Sequence, residues 1–298
     1  VIDEAQRVSE IGLTLKRITD NFTNVQLLVT GSSSFELQSN LNEPLTGRKY
    51  EYHLYPISTA ELYDSQGLLP VKQMFESRLI YGSYPDIINH TDEAKELLMN
   101  IANSYLYKDL LAMNEIRRPI LLEKLLIALA LQVGSEVSYN EVAQTIGTDN
   151  KTVEKYIDLL EKCYVIFRLN AFNRNLRTEL KKSKKIYFYD NGIRNAVIQN
   201  FAPLSLRQDT GALWENFFIS ERIKANHYNG NYAKSFFWRT TQQQEIDYIE
   251  EADGNFTAFE MKWNPNKRPI TFPSPFLNNY PVKETVVITP ENYLEWVM

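Results

Sequence analysis

Two short apolar runs, each closed by polar residues and separated by a helical spacing, set the first constraint on this chain. Val1-Ile2 closes at once on Asp3-Glu4, and Val25-Gln26-Leu27-Leu28-Val29-Thr30 closes on Gly31 and the serines Ser32, Ser33 and Ser34. Between the runs, Ile11, Leu15 and Ile18 recur at the spacing of one helix face. Apolar runs of this length with turn chemistry behind them read as buried parallel strands. Strand, helix, strand is a βαβ unit, so an α/β fold is expected, with Asp3 and Glu4 at one strand tip and Thr30 and Ser32 at its neighbour.

Composition narrows the class. A chain of 298 residues is long enough for about two domains and a sizeable core. The longest apolar run, Leu125 to Val133, is interrupted by Gln132 and is far short of a membrane span. The single cysteine, Cys163, excludes an internal disulfide framework and suits a reducing cytoplasm. His53, His90 and His227 are too widely spaced for a structural zinc site. With a net charge of −5, nucleic-acid binding would have to rest on a local basic patch.

Further along, Lys49 to Tyr55 alternates like a strand and ends at Pro56. Thr59 to Met113 turns helical, with a break expected at Gly82-Ser83-Tyr84-Pro85. Leu121 to Val133 is an apolar helix, and Ser138 with Glu141 three residues on is a capping box for a second. That helix ends near Gly147, and Asp149 or Asn150 caps a third carrying Val153, Ile157, Leu159 and Leu160. The strand-like run Tyr164 to Leu169 follows. Three helices with a tight turn before the last, then a hairpin, have the order of a winged helix. After a basic stretch come a strand at Ile186 to Tyr189 and a long helix at Leu213 to Ala225. Strands near 235–239, 245–250, 256–263 and 285–289 complete an expected α/β domain with a mixed sheet.

Taken in order, Val1-Ile2-Asp3-Glu4-Ala5-Gln6, Val29-Thr30-Gly31-Ser32-Ser33, Leu45-Thr46-Gly47-Arg48 and Leu54-Tyr55-Pro56 resemble the prokaryotic AAA+-like ATPases of the archaeal type. Many of these carry a C-terminal domain of unknown function. The resemblance continues through Gly82-Ser83-Tyr84-Pro85, Tyr187-Phe188-Tyr189-Asp190-Asn191-Gly192, Leu213-Trp214-Glu215-Asn216, Glu245-Ile246-Asp247 and Glu260-Met261-Lys262. It implies an α/β chain of four segments: a partial P-loop NTPase sheet over 1–56, a helical lid-like segment over 57–118, a winged helix over 119–172, and a restriction-endonuclease-like domain over 173–298. The phosphate-binding Gly-x-x-x-x-Gly-Lys-Ser/Thr loop occurs nowhere in the chain. The chain is therefore expected to be the C-terminal part of a longer ATPase, using ATP and Mg2+ in the parent and inactive as it stands.

On that reading Asp3 binds magnesium, Glu4 orients the attacking water, and Thr30 or Ser32 senses the γ-phosphate. The alternative for the acidic pair is an N-cap on the helix that follows, and for the hydroxyls a locally satisfied turn. Arg48 could supply positive charge to a transferring phosphoryl group, or could simply be a solvated or ion-paired arginine. In the C-terminal part, Glu245 and Asp247 share one strand face, as do Glu260 and Lys262 on the next strand. Asp247 followed thirteen residues later by Glu-x-Lys is the arrangement of the PD-(D/E)XK nucleases. The resemblance implies a divalent metal on Asp247 and Glu260, Lys262 activating water, and Glu215 as an accessory acid. The alternative is surface alternation on an exposed strand.

The third constellation is basic. Lys151, Lys155 and Lys162 of the third helix are interleaved with Glu154, Asp158 and Glu161, a poor footprint for a phosphate backbone. Arg174, Arg177, Lys181, Lys182, Lys184 and Lys185 face only Glu179 and are the candidate DNA contacts. Three functions are carried forward: an ATPase part coupled to a winged-helix and nuclease-like module, a metal-dependent DNA nuclease, and a non-catalytic DNA- or protein-binding module. DNA, a protein partner or a second copy are the expected partners, with no membrane.

Overall fold

The computed structural model describes residues 1–5, 8, 10–31, 47–103, 118–173, 183–264 and 270–298. The first expectation is met on a small scale. Ile2 bridges Val29 in parallel, with Ile2 N–H donating to Leu28 O at 2.8 Å and Thr30 N–H to Ile2 O at 2.9 Å. Helix α1 (Ile11–Asn21) makes the crossover, and Ala5, Ile11 and Leu15 form a miniature core beneath Ile2, Leu27 and Val29.

A set of short helices follows: α2 (Thr59–Gln66), α3 (Leu68–Gln73), α4 (Phe75–Tyr81), α5 (Pro85–Asn89) and α6 (Ala94–Ile101). Ser58 closes the N-terminus of α2 with a full capping box to Glu61. Three further helices are α7 (Pro119–Leu131), α8 (Tyr139–Ile146) and α9 (Asn150–Lys162). Ser138 caps α8 and Asp149 caps α9, while Gly147 takes the left-handed conformation that ends α8.

The remaining elements are β1 (Ile166–Ala171), β2 (Lys184–Phe188), α10 (Asn191–Val197), α11 (Thr210–Tyr228), β3 (Lys234–Arg239), β4 (Glu245–Ala252), β5 (Asn255–Met261), α12 (Ser274–Asn279), β6 (Val282–Ile288) and α13 (Leu294–Val297). The strands form one mixed sheet in the order β2-β1-β3-β4-β5-β6. β1 runs parallel to β3 and β5 to β6, and the other neighbours are antiparallel. On one face α11 packs against β2 and β5, burying Trp214, Phe218 and Ile219 against Phe237, Tyr248 and Phe259. On the other face Phe276 of α12 covers Trp238, Ile246, Ile249 and Ala258. Among the described residues no helix is long and apolar enough to cross a membrane.

Two expectations change. β1 lies in the third expected segment, yet it pairs with β2 and β3 of the fourth. A single continuous core runs from Leu79 to Val297. The pair β1–β2 is therefore the edge of a shared sheet rather than a free hairpin, because Ile166, Phe167 and Leu169 are all buried in it. The strand expected over Lys49 to Tyr55 joins no ladder among the described residues. It stays extended and is held by side chains: Tyr55 N–H donates to Tyr228 Oη at 3.2 Å, and the Tyr55 ring stacks on Tyr189 at 5.4 Å.

The helical segment locks onto the sheet through close backbone approach. Gly82 has φ +79°, open to glycine at little cost, and a Cβ there would strike the Asp190 carboxylate. A Cβ on Gly192 would run into the Tyr81 carbonyl. Asp190 Oδ2 accepts from Ser83 N–H at 2.7 Å, and its Oδ1 accepts from Ile193 N–H at 3.1 Å, capping α10. We expect Gly192→Ala to lower stability by about 2–3 kcal/mol, the cost of overpacking a tight contact. Gly211→Ala, at the start of α11 with open space around it, should be neutral or slightly stabilising. Urea unfolding of both variants checks this, and equal midpoints would contradict the interlock.

Candidate functional site

The N-terminal βαβ unit brings Asp3, Glu4 and Thr30 together at two adjacent strand tips. The Thr30 hydroxyl donates to Asp3 Oδ1, and Glu4 N–H donates to Thr30 Oγ1 at 3.4 Å. Ala5 N–H closes the tip by donating to Thr30 O at 2.9 Å. Glu4 has φ +51°, an uncommon value for a residue with a side chain. The Asp3 carboxylate is exposed and carries one protein hydrogen bond from a neutral donor, so it has lone pairs left for a cation. These residues fit the magnesium side of a nucleotide site.

Not every expected member joins them. Ser32 lies outside the described residues. Arg48 is engaged elsewhere: its Nε lies 3.3 Å from Asp20 Oδ1, with both side chains well exposed. Asp20 is nine residues into α1, about 14 Å along the axis from the strand-tip end at the usual rise. The ion-pair alternative is the one that the structure displays for Arg48, at a strength of roughly 0–1 kcal/mol.

The second constellation is built on the interior strands β4 and β5, with Lys185 reaching it from β2 and Glu215 from α11. Asp247 Oδ2 accepts from Met261 N–H at 3.0 Å, fixing β4 against β5. Lys262 Nζ lies 2.7 Å from Glu260 Oε2 and 3.6 Å from Asp247 Oδ2. Beside them Lys185 Nζ lies 2.5 Å from Glu245 Oε1 and 3.3 Å from Glu215 Oε1. Tyr187, two residues along the same strand face, donates to Glu215 Oε1 at 2.6 Å. The four residues Asp247, Glu260, Lys262 and Glu215 are thus gathered as expected. Lys185 and Glu245 complete the cluster, and the period-two spacing of Lys185 with Tyr187 and of Glu245 with Asp247 was the signal for both.

The cluster does not fit the metal that the nuclease resemblance implies. Among the described residues no group of three His, Cys, Asp or Glu is placed to hold a metal ion. The ligand set Asp247, Glu260 and Glu215 is corrected accordingly, because an ammonium stands between its members. Burial lifts the Glu215 carboxyl to about 7, opposed by Lys185 and reinforced by Asp247. Burial and then Asp247 lift Glu260 to about 7 as well. Lys185 and Lys262 are held charged: burial lowers each, and the facing carboxylates more than reverse it.

The basic stretch is corrected in part. Lys185 is 2% exposed and committed to carboxylates, so it is closed to phosphate. Lys184 lies over the Tyr139 ring at 5.0 Å. Arg174, Arg177, Lys181 and Lys182 lie outside the described residues.

Residues 1–63 match a family model described as an AAA domain. Residues 72–204 match a domain of unknown function (DUF8612), and residues 210–295 match another (DUF4143). An uncharacterized protein of Haemophilus influenzae is 28% identical over 209 residues, covering 66% of this chain and 52% of that protein. An uncharacterized protein of Mycobacterium tuberculosis is 25% identical over 269 residues, covering 88% of this chain and 58% of its own length. One from Methanocaldococcus jannaschii is 23% identical over 266 residues, covering 83% and 57%. The first of these matches supports an AAA-like ATPase module over residues 1–63. The chain spans about half the length of these curated relatives, 52% to 58%. No solved structure matches it.

A pH dependence follows from the raised carboxyls. Glu215 and Glu260 bind protons more tightly folded than unfolded, so their contribution to stability falls as pH rises from about 4.5 to about 7. Glu215→Gln removes one of them. The stability of this variant relative to the parent should rise on the order of 2 kcal/mol between about pH 5 and about pH 7.5. Urea midpoints at the two pH values measure that slope, and an offset independent of pH would refute the assignment.

Proposed function

We propose that residues 1–31 carry the metal- and water-handling half of an ATP hydrolysis site, and that the rest of the chain is the body that this site drives. The observation that carries the reading is the Asp3 carboxylate bonded to the Thr30 hydroxyl at the tips of two parallel strands. The AAA-domain match over the same residues supports it. Asp3 would hold Mg2+ with its free lone pairs, Glu4 would orient the attacking water, and Thr30 would hold the Asp3 carboxylate and sense the γ-phosphate. Bound magnesium supplies neutralisation of the charge that builds on the transferring phosphoryl group. The phosphate-gripping loop is not in these 298 residues, so the reading assigns to this chain only the Asp3 side of the site.

The body has the element order of a winged helix in α7, α8, α9, β1 and β2. A restriction-endonuclease-like fold for the remainder is supported by α11 lying on a mixed sheet whose neighbouring strands β4 and β5 gather Asp247, Glu260 and Lys262. Both folds serve as scaffold in this reading. The basic residues before β2 remain the proposed route to DNA, now without Lys185.

The test uses a form of the protein in which these residues are joined to a phosphate-binding loop. Magnesium-dependent ATP hydrolysis should fall about 100-fold or more on Asp3→Ala. On Glu4→Gln, turnover should fall about as far while ATP binding persists, as loss of a water-orienting base requires. Hydrolysis unaffected by both substitutions would remove the ATPase assignment.

A further inference from the structure

The C-terminal cluster gathers the carboxyl groups of Glu215, Glu245, Asp247 and Glu260 around Lys185 and Lys262, with Arg239 Nη1 at its margin 3.6 Å from Glu245 Oε2, and each lysine serves two of the carboxyls. Lys185 bridges Glu215 and Glu245 at 3.3 and 2.5 Å. Lys262 bridges Glu260 and Asp247 at 2.7 and 3.6 Å. A divalent ion needs several oxygens converging at about 2.0–2.6 Å, whereas each ammonium here lies within 3.6 Å of two carboxylates, and the Asp247 charge also acts on Lys185. The two lysines differ in one respect that matters. Lys262 is 36% exposed and could swing to solvent. Lys185 is 2% exposed, is paired with Leu169 in the ladder near the start of β2, and lies against the Phe237 ring at 5.4 Å. It has nowhere to go.

We infer that the Lys185 ammonium takes the place of a divalent cation in this carboxylate site, so that the C-terminal domain binds no metal while Lys185 is present. The cluster is then a brace between β2, α11, β4 and β5, and it carries no metal-dependent phosphodiester cleavage. Removing the ammonium frees Glu215 beside Asp247 and Glu260, leaving three carboxyls and no buried cation among them. The same site should then accept a hard divalent ion. This inference concerns the C-terminal cluster alone and is indifferent to whether Asp3 serves a nucleotide.

Manganese(II) alone is the probe, followed by the loss of its free-ion electron paramagnetic resonance signal on titration into the full chain. The unsubstituted protein should show no saturable binding that depends on Asp247. Lys185→Met, which keeps the apolar stem, should bind one equivalent at least about tenfold more tightly, and adding Asp247→Asn should abolish that gain. One-equivalent binding in the unsubstituted protein that Asp247→Asn removes would overturn the inference. So would a folded Lys185→Met that stays as silent as its parent. Should Lys185→Met fail to fold, the melting temperature of the unsubstituted chain in manganese against chelator decides. No Asp247-dependent shift upholds the inference, and a rise that Asp247→Asn removes refutes it.

Discussion

Arg78 lies wholly inside the protein, and the packing of the helical segment on the sheet depends on how its charge is met. Its Nη2 lies 3.3 Å from Glu221 Oε2, its Nε donates to Ser83 Oγ at 2.9 Å, and its Nη1 donates to Thr59 Oγ1 at 2.9 Å. Lys224 holds the other oxygen of Glu221 at 2.8 Å, and Thr59 N–H donates to Glu221 Oε2 at 2.6 Å. Three charged groups are thus removed from water together, which is tolerable only when every one of them is paired and hydrogen-bonded. Burial would raise the Glu221 carboxyl, and the two cations outweigh it, holding it down to about 2. Since the residues come from α2, α4 and α11, none of those helices can shift alone without stranding a charge. The arrangement fixes geometry more than it adds stability, because an apolar substitute of equal volume would cost less desolvation.

The same logic governs the neighbouring junction, where asparagines replace backbone partners. Asn216 binds both the N–H and the C=O of Phe188, at 2.8 and 3.0 Å, so the end of β2 is paired by a helix side chain in place of another strand. The side-chain oxygens of Asn191 and Asn195 accept from Asn216 and Arg207 at 2.6 and 3.0 Å, and their amide groups serve the helix end. They donate to the carbonyls of Leu79 and Ile80 at the end of α4, at 3.2 and 2.8 Å. Those carbonyls are orphaned by the end of the helix, and leaving them buried without donors would cost on the order of 1–3 kcal/mol each.

These junctions explain what could and could not be read from the chain. Helix and strand positions were legible because apolar spacing and caps such as Ser138 and Asp149 are local signals. The gathering of Asp247, Glu260 and Lys262 was legible for the same reason, since a strand period of two and a short hairpin fix it. Tyr187-Phe188-Tyr189-Asp190-Asn191-Gly192 and Gly82-Ser83-Tyr84-Pro85 stood out as motifs, but their work is a mutual lock across more than a hundred residues of sequence, which no local period encodes. Lys185 was misjudged because a run of basic residues looks alike whether each is solvated or not. Its burial depends on Glu215 and Glu245 arriving from two other elements. The extended segment before Pro56 failed as a strand because alternation describes side chains, whereas a ladder requires a partner backbone.

That segment lies between the two candidate sites in the chain, and its attachments are side-chain contacts in place of a ladder. Tyr50, Tyr52 and Leu54 stand almost fully exposed on one side, while His53 and Tyr55 face inward on the other. His53 Nδ1 lies 2.5 Å from Tyr164 Oη, and its ring is 5.0 Å from that of His227 at the end of α11. Tyr55 stacks on Tyr189, the residue before the Asp190 that locks Gly82. The segment thus touches Tyr164 before β1, His227 of α11, and Tyr189 beside the Asp190 lock through its rings. Ring contacts slide at lower cost than a hydrogen-bonded ladder does, and this segment meets the body mainly through rings.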